Sequence, residues 1–311
     1  MRNHRINGAA MSDAGRTAVA KGIDVALAGM HKLIKLQVSA GERLKAQRVK
    51  LSYHTRPEDI IIASYPKSGT TWVQMILLQL LTDGSMDGIS HLNTFAPYLE
   101  DALRAGWRTR QTGGRIIKTH ASYRDVPKGC GHYIYALRDG RDVIVSYFHH
   151  HRRNGYVKAF PEFFEQFMKG SVAFGNWFDH VARWRENSRD LSILYVAFEK
   201  MTADLEPVVR EIAAFCDIPI READMPRILR NCSFDFMRAN EAKLDIRSHW
   251  RVQIPPEDDH FIRKGRNGQW VECFDQAMLG AFDARLGRSP GLRYAVREPA
   301  LARGDLTGGD R

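Results

Sequence analysis

The fold class this sequence predicts is a single α/β domain, with a central parallel sheet flanked by helices and a phosphate-binding turn resembling a P-loop. Three observations predict it. The apolar run Ile60-Ile61-Ile62-Ala63 leads into Tyr65-Pro66-Lys67-Ser68-Gly69-Thr70-Thr71-Trp72 and then into a second apolar run, Val73 to Leu81, which is the order of buried strand, tight turn and helix. Further along, short apolar runs alternate with helical stretches, the pattern of parallel strands joined by crossover helices. The strand-like runs end in Lys118, His120 and Arg138, at the carboxyl ends where open α/β sheets bind ligands.

Taken in order, residues 1–20 are small, polar and charged and read as a disordered amino terminus, with Met11 an alternative start. From 21 to 50, Ile23, Leu27, Met30, Ile34 and Val38 recur on one helix face among lysines and arginines. This is an amphipathic basic helix, read as docked on the main domain in preference to lying on an anionic membrane surface. The main domain spans 51–299. Its first strand precedes the octapeptide; Arg115-Ile116-Ile117-Lys118-Thr119-His120 and His132 to Arg138 follow as strands, and Asp142 to Phe148 opens a helix with acidic charge at its start. Leu191 to Phe198 is a further strand, and Leu205 to Cys216 a helix ending before Pro219. Residues 300–311 are a polar tail.

Composition sets the outer limits. The chain has 311 residues, 44% hydrophobic and 26% charged, with a formal net charge of +10, ordinary for a globular domain with an acidic partner. Cys130, Cys216, Cys232 and Cys273 form no C-x-x-C pair, so neither a zinc nor a redox motif is expected. The first thirty residues lack a signal-peptide pattern, and no run approaches the ~18 apolar residues of a spanning helix. The expectation is a cytoplasmic protein.

Four clusters carry the chemistry. The octapeptide aims backbone N–H groups, a helix start and Lys67 at one point, suited to a doubly charged anion; Trp72 is a flat face for a purine. It lacks the G-x-x-x-x-G-K-[ST] order of nucleotide loops. Lys118 and His120, two apart at a strand end, share a face. Arg138 and Ser146 lie eight residues apart across a strand end and the following helix. Arg263-Lys264-Gly265-Arg266-Asn267-Gly268 gathers cations and glycines in one loop, able to wrap a phosphate. His149, His150 and His151 read as a helix surface or a pocket wall; no ligand spacing elsewhere supports a metal.

The octapeptide resembles the 5′-phosphosulfate loop of the PAPS-dependent sulfotransferases, as found in the cytosolic members (PAPS is 3′-phosphoadenosine 5′-phosphosulfate; PAP is its product, adenosine 3′,5′-bisphosphate). Lys118-Thr119-His120 resembles the family's catalytic K-T-H, Arg138 with Ser146 its 3′-phosphate pair, and Arg263-Lys264-Gly265 its RKG-x-x-G signature. The motifs occur in family order between about residues 57 and 290. The resemblance implies sulfuryl transfer from PAPS to a hydroxyl or amine, without metal. His120 would be general base, Lys67 would act on the bridging oxygen and Lys118 on the sulfuryl oxygens. Lys67, Ser68, Gly69, Thr70, Thr71 and Trp72 would hold the 5′ end. Ser146 would bind the 3′-phosphate and hold Lys67 until acceptor arrives. Ser233-Phe234 resembles the segment whose phenylalanine faces adenine opposite the tryptophan, and Phe198 stands where the family has a tyrosine. Gln269 and Val271 depart from the family's usual residues. Val271, Asp275, Gln276 and Gly280 stand where many members carry a dimerisation motif, which leaves the oligomeric state open.

Two other readings are kept: an ATP-dependent phosphotransferase, disfavoured by the missing Walker lysine, and a non-catalytic basic nucleotide- or nucleic-acid-binding protein. The second is disfavoured because the cations sit beside glycines in loops and not along one helix face; no nucleic-acid partner is expected. Residues 84–110, 149–175 and 235–260 are the expected acceptor loops. Phe95, Tyr98, Trp107, Phe148, Tyr156 and Phe160 there suit a hydrophobic alcohol or phenol, with a lipid or carbohydrate acceptor left open.

Overall fold

Strands β1 (Ile60–Ser64), β2 (Ile116–Thr119), β3 (His132–Leu137) and β4 (Ile193–Ala197) pair in the order β2-β1-β3-β4, and every pairing is parallel. This computed structural model describes residues 53–102 except 83, 85 and 87, then 114–186, 190–245, 260–289 and 292. The amino terminus (1–20), the basic helix (21–50), the tail (300–311) and Trp107 lie outside the described residues.

Every residue of β1 and β2 is buried, as expected for strands covered on both faces, whose sequences then read as continuous apolar runs. One core layer joins Ile60, Ile62, Ile134 and Val196 to helices α1 (Thr70–Leu81), α8 (Leu205–Phe215) and α9 (Met225–Asn231) through Val73, Ile76, Leu77, Val209, Ile212 and Ile228. Successive strand side chains alternate between faces. Tyr135 accordingly meets α6 (Trp177–Glu186), 4.9 Å from the Trp184 ring. No described helix is long and apolar enough to cross a membrane.

The chain runs from β1 out to β2 on one side, then back past β1 to β3 on the other. The order reverses between β1 and β3, and a crevice opens at such a reversal at the strands' carboxyl ends. The loop after β1 carries Lys67 and Arg138 follows β3, so these two cationic segments flank this crevice.

Three boundaries differ from the sequence reading. Helix α1 starts at Thr70, so Thr70, Thr71 and Trp72 form its first turn; the turn ends at Gly69, whose φ of 106° closes it in the left-handed region. Helix α4 runs from Gly140 to Arg153, starting before Asp142 because the Asp139 carboxylate accepts from Arg141 N. It carries His149, His150 and His151, all half-buried, in its last turns. Strand β4 stops at Ala197, and Phe198 opens helix α7 (Phe198–Ala203).

Candidate active site

The turn after β1 is held open by backbone conformation. Lys67 has φ 69° and Gly69 has φ 106°, a conformation costly for a residue with Cβ. An added Cβ at Gly69 would lie 3.1 Å from Phe198 Cδ2. Ser68 is buried, and the Ser64 and Thr70 hydroxyls are 2.6 Å apart. No side chain caps the first amides of α1 and no acidic residue sits in its first turn. That helix end thus presents N–H groups and positive dipole without a protein counter-charge.

Arg138 ties the crevice together. It is 6% exposed and stacks 4.1 Å over the Phe198 ring. Nη1 donates to Lys67 O (3.3 Å) and Nη2 to Arg266 O (3.2 Å). Its buried Nε–H has no partner. The Lys67 ammonium lies 4.8 Å over the Phe261 ring and is pulled down to about 8 by desolvation, then by Arg153 and Arg138. Ser146 is half-buried inside α4, and no Ser146–Lys67 hydrogen bond exists among the described residues.

At the end of β2, His120 Nδ1 lies 2.9 Å from Ser64 O. A carbonyl only accepts, so the proton is on Nδ1 and Nε2 carries the lone pair. That lone pair faces the Tyr98 hydroxyl at 3.3 Å. His180 Nε2 donates to His120 O (3.2 Å), and its Nδ1 accepts from Tyr135 OH (2.7 Å). Burial pushes His120 down to about 3, with Lys118 and Lys67 adding to the effect. The imidazole is neutral at pH 7. Lys118 is buried; its ammonium donates to Asn93 Oδ1 (2.5 Å) and Gln74 Oε1 (3.4 Å) and lies 4.3 Å over the Tyr98 ring. Burial draws it down to about 7. Phe174, half-exposed at φ 67°, puts its ring 5.1 Å from His120.

The basic loop is organised from outside. Asp142 accepts from Gly268 N (2.8 Å) and Trp270 N (3.2 Å). Arg238 donates to Arg263 O (2.9 Å) and to Ile262 O. Arg263 is half-buried and donates to Gln269 Oε1. Lys264 and Arg266 are exposed, and both pair with Glu272, at 2.8 and 2.5 Å. Gly265 has φ 59°, and a Cβ there would stand 2.2 Å from Phe234 Cδ2, so the loop is pressed onto that ring. On the neighbouring wall, Trp72 Nε1 donates to Cys232 O (2.9 Å), with its ring 5.3 Å from Phe198. The Ser233 hydroxyl caps helix α10 (Phe234–Ala239) by accepting from Phe236 N at 3.2 Å.

The structure therefore gathers Lys67 to Trp72, Lys118, His120, Arg138, Phe198, Phe234, Arg263 and Gly265 along the carboxyl edge of the sheet. Lys264 faces Glu272, and the Ser233 hydroxyl faces its own helix. The sequence reading did not single out Asn93, Gln74, His180, Phe174 or Glu272. Asn93 and Gln74 follow no charge or spacing pattern; Phe174 could have been suspected from Gly170 and Gly175 beside it, both at positive φ.

An open parallel sheet with an uncapped helix start and converging cations at its switch point defines an α/β protein whose cleft is suited to an anion. The family model of the sulfotransferase domain matches residues 57–289. The chain belongs to the sulfotransferase family. It is 33% identical over 248 residues to dog sulfotransferase 1B1, covering 74% of this chain and 83% of that one. It is 30% identical over 275 residues to human sulfotransferase 1C2, covering 82% and 92%. Among solved structures, mouse sulfotransferase SULT7A1 complexed with PAP is similar at TM-score 0.62 and 29% identity, over 80% of this chain and 89% of that one. Retinol dehydratase with androsterone and PAP shares the fold at TM-score 0.69 and 23% identity, over 82% and 86%.

Proposed function

We propose that this sulfotransferase uses PAPS and passes its sulfuryl group to a hydroxyl or amine of a small-molecule acceptor. The observation that carries the reading is a set of donors in and beside the turn after β1 that meet no side-chain acceptor among the described residues: the start of α1, the Lys67 ammonium and the buried Arg138 Nε–H. Buried unpartnered donors are rare in folded proteins; a phosphosulfate would satisfy the α1 start and Lys67, and a second phosphate would satisfy Arg138. PAP bound to the similar mouse enzyme supports the same ligand class.

Lys67 and residues 68–72 would hold the 5′-phosphosulfate. Arg138, Ser146, Arg263 and Gly265 would hold the 3′-phosphate, with Lys264 joining once released from Glu272. Trp72, Phe198 and Phe234 would enclose adenine. As the acceptor oxygen forms its bond to sulfur, its proton passes to His120 Nε2, the nitrogen left basic by the Ser64 carbonyl. The bond from sulfur to the bridging oxygen breaks, and its electron pair leaves with PAP. Lys67 meets the charge growing on that oxygen, and Lys118 the sulfuryl oxygens. A polyanion beside Lys67 and Lys118 would offset two of the charges that depress His120.

Calorimetry with PAP, adenosine 5′-phosphate and ATP with Mg²⁺ tests the nucleotide assignment, and turnover of labelled PAPS against an acceptor panel tests the reaction. PAP is expected to bind best, since loss of one charge-assisted partner costs about 1.5–3 kcal/mol. Equal affinity for PAP and adenosine 5′-phosphate would remove the 3′-phosphate assignment.

A further inference from the structure

Tyr98 touches both side chains assigned to the attacking side of the transfer. Its hydroxyl lies 3.3 Å from His120 Nε2. Because His120 Nδ1–H is committed to the Ser64 carbonyl at 2.9 Å, Nε2 only accepts, and the Tyr98 hydroxyl is the donor. No other polar atom among the described residues pairs with Nε2. The Tyr98 ring carries the Lys118 ammonium at 4.3 Å and meets the imidazole edge to face, with centroids 5.7 Å apart. Backbone pairing fixes this placement. Tyr98 forms a parallel bridge with Lys118, and Lys118 N donates to Pro97 O at 2.9 Å. The segment therefore lies along the outer edge of β2, and Asn93 from the same stretch accepts from the Lys118 ammonium. His120 and Lys118 are buried, and Tyr98 beside them is half-buried.

The hydrogen bond from Tyr98 to His120 is the one an acceptor would make: a hydroxyl donating to Nε2, the nitrogen that takes its proton. With nucleotide bound and no acceptor present, the nucleophile open to this base is water. Attack by water would join its oxygen to sulfur and break the bond from sulfur to the bridging oxygen. The electron pair would leave with PAP, the water proton would pass to Nε2, and sulfate would be released. Closed active sites suppress side reactions of this kind by keeping water from the reacting groups. At His120 the Tyr98 hydroxyl already holds the place a water would need. A water that displaced it would exchange one hydrogen bond for another and gain nothing further. An apolar acceptor gains burial of its own surface as well, beginning with the half-exposed Phe174 ring, 5.1 Å from His120.

Resting on the PAPS reading, we infer that Tyr98 is a specificity-determining residue that selects acceptor over water: its hydroxyl occupies His120 Nε2 until an apolar acceptor displaces it.

The test is Tyr98→Phe in the full chain, which removes the hydroxyl and keeps the ring beside Lys118 and His120. PAP affinity is measured by calorimetry, PAP and sulfate release from labelled PAPS without acceptor, and the KM of the best acceptor of the panel. Tyr98→Phe is expected to bind PAP like the parent and to release PAP and sulfate about threefold to tenfold faster without acceptor, the weight of one neutral hydrogen bond. The acceptor KM is expected to fall by a similar factor. Adding His120→Ala to Tyr98→Phe is expected to abolish the extra release, because water then has no base. Unchanged acceptor-free release in Tyr98→Phe overturns the inference, as does extra release that persists without His120. Loss of PAP binding in Tyr98→Phe also overturns it, by making Tyr98 a support of the nucleotide site. So does labelled sulfate retained on Tyr98 of the parent protein, found by mass spectrometry of its peptides, since the hydroxyl would then be an acceptor and not a stand-in for one. Failure of the parent protein to bind PAP would refute the PAPS reading itself, an outcome separate from any effect at position 98.

Discussion

The two segments proposed to bind phosphate are built in opposite ways. The turn after β1 is buried, conformationally fixed and short of acceptors: Lys67 rests on a ring, Arg138 keeps an unpartnered Nε–H, and the first amides of α1 are uncapped. The basic loop is largely exposed and its cations already have partners within the chain, Lys264 and Arg266 on the single Glu272 carboxylate and Arg263 on the neutral amide of Gln269. Donors whose hydrogen bonds are unmade before binding contribute strongly when a ligand supplies acceptors. Cations on an exposed carboxylate exchange one partner for another and contribute less. The buried turn should therefore contribute most to holding the 5′ end and, where charge grows in the transition state, to rate, while the exposed loop adds a smaller increment that discriminates the 3′-phosphate.

Variants can break that contrast, beginning with the largest effect. His120→Ala removes the base and should lower turnover by about 10²–10⁴-fold while PAP affinity stays within about twofold, the order of experimental scatter expected for a group not touching PAP. An active variant would end the assignment of His120.

Lys67→Met comes next. It should lower kcat strongly and weaken PAPS binding only modestly, because charge on the bridging oxygen grows in the transition state and the backbone donors remain. Arg263→Ala should do the reverse, raising the KM for PAPS. The depressed Lys67 adds a pH signature. Held near about 8 in the free protein, it is half-charged there; beside a phosphate it is fully charged. On PAP binding at pH 8 Lys67 should therefore take up about half a proton from the buffer, read from calorimetry in buffers of different ionisation enthalpy, and Lys67→Met should lose most of that uptake. Affinity of the free protein for PAP should fall as pH rises through this range.

Smaller is Gly265→Ala. Its positive φ and the Phe234 ring 2.2 Å from the new methyl should displace the loop and cost about tenfold in PAP affinity, in line with the 1–2 kcal/mol of left-handed strain, with kcat at saturation nearly unchanged. The smallest is Glu272→Gln. Releasing two exposed cations should tighten PAP by about two- to fivefold, the scale of surface ion pairs, and steepen its salt dependence. Weaker binding instead would show that Glu272 shapes the loop and does not compete with the phosphate.

The strands and the turn were legible because parallel strands covered on both faces leave unbroken apolar runs, and because Lys67-Ser68-Gly69-Thr70 has few other structural uses. The clusters at Lys118, Arg138 and Arg263 were legible as residue types. What the sequence hid was the partnering. Asn93 and Gln74 reach Lys118 from separate helices, Arg138 meets the Arg266 carbonyl across 128 residues, and Lys264 turns to Glu272; each depends on tertiary distance, which no local pattern encodes. Helix starts were misplaced by two or three residues because Asp139 and Gly69, the caps, look like ordinary turn residues.

Helix α4 has one further consequence. Its first turn anchors the basic loop through Asp142, and its last turns carry Phe148 and the three histidines. Its 14 residues make a rod about 21 Å long at 1.5 Å per residue. The Asp142 anchor and the side chains of Phe148 and the three histidines are thus carried on one body. On the proposed reading, substitutions in its last two turns are expected to change the choice of acceptor with nucleotide affinity kept, whereas repacking around Tyr147 or Phe163 is expected to tilt the rod and change both.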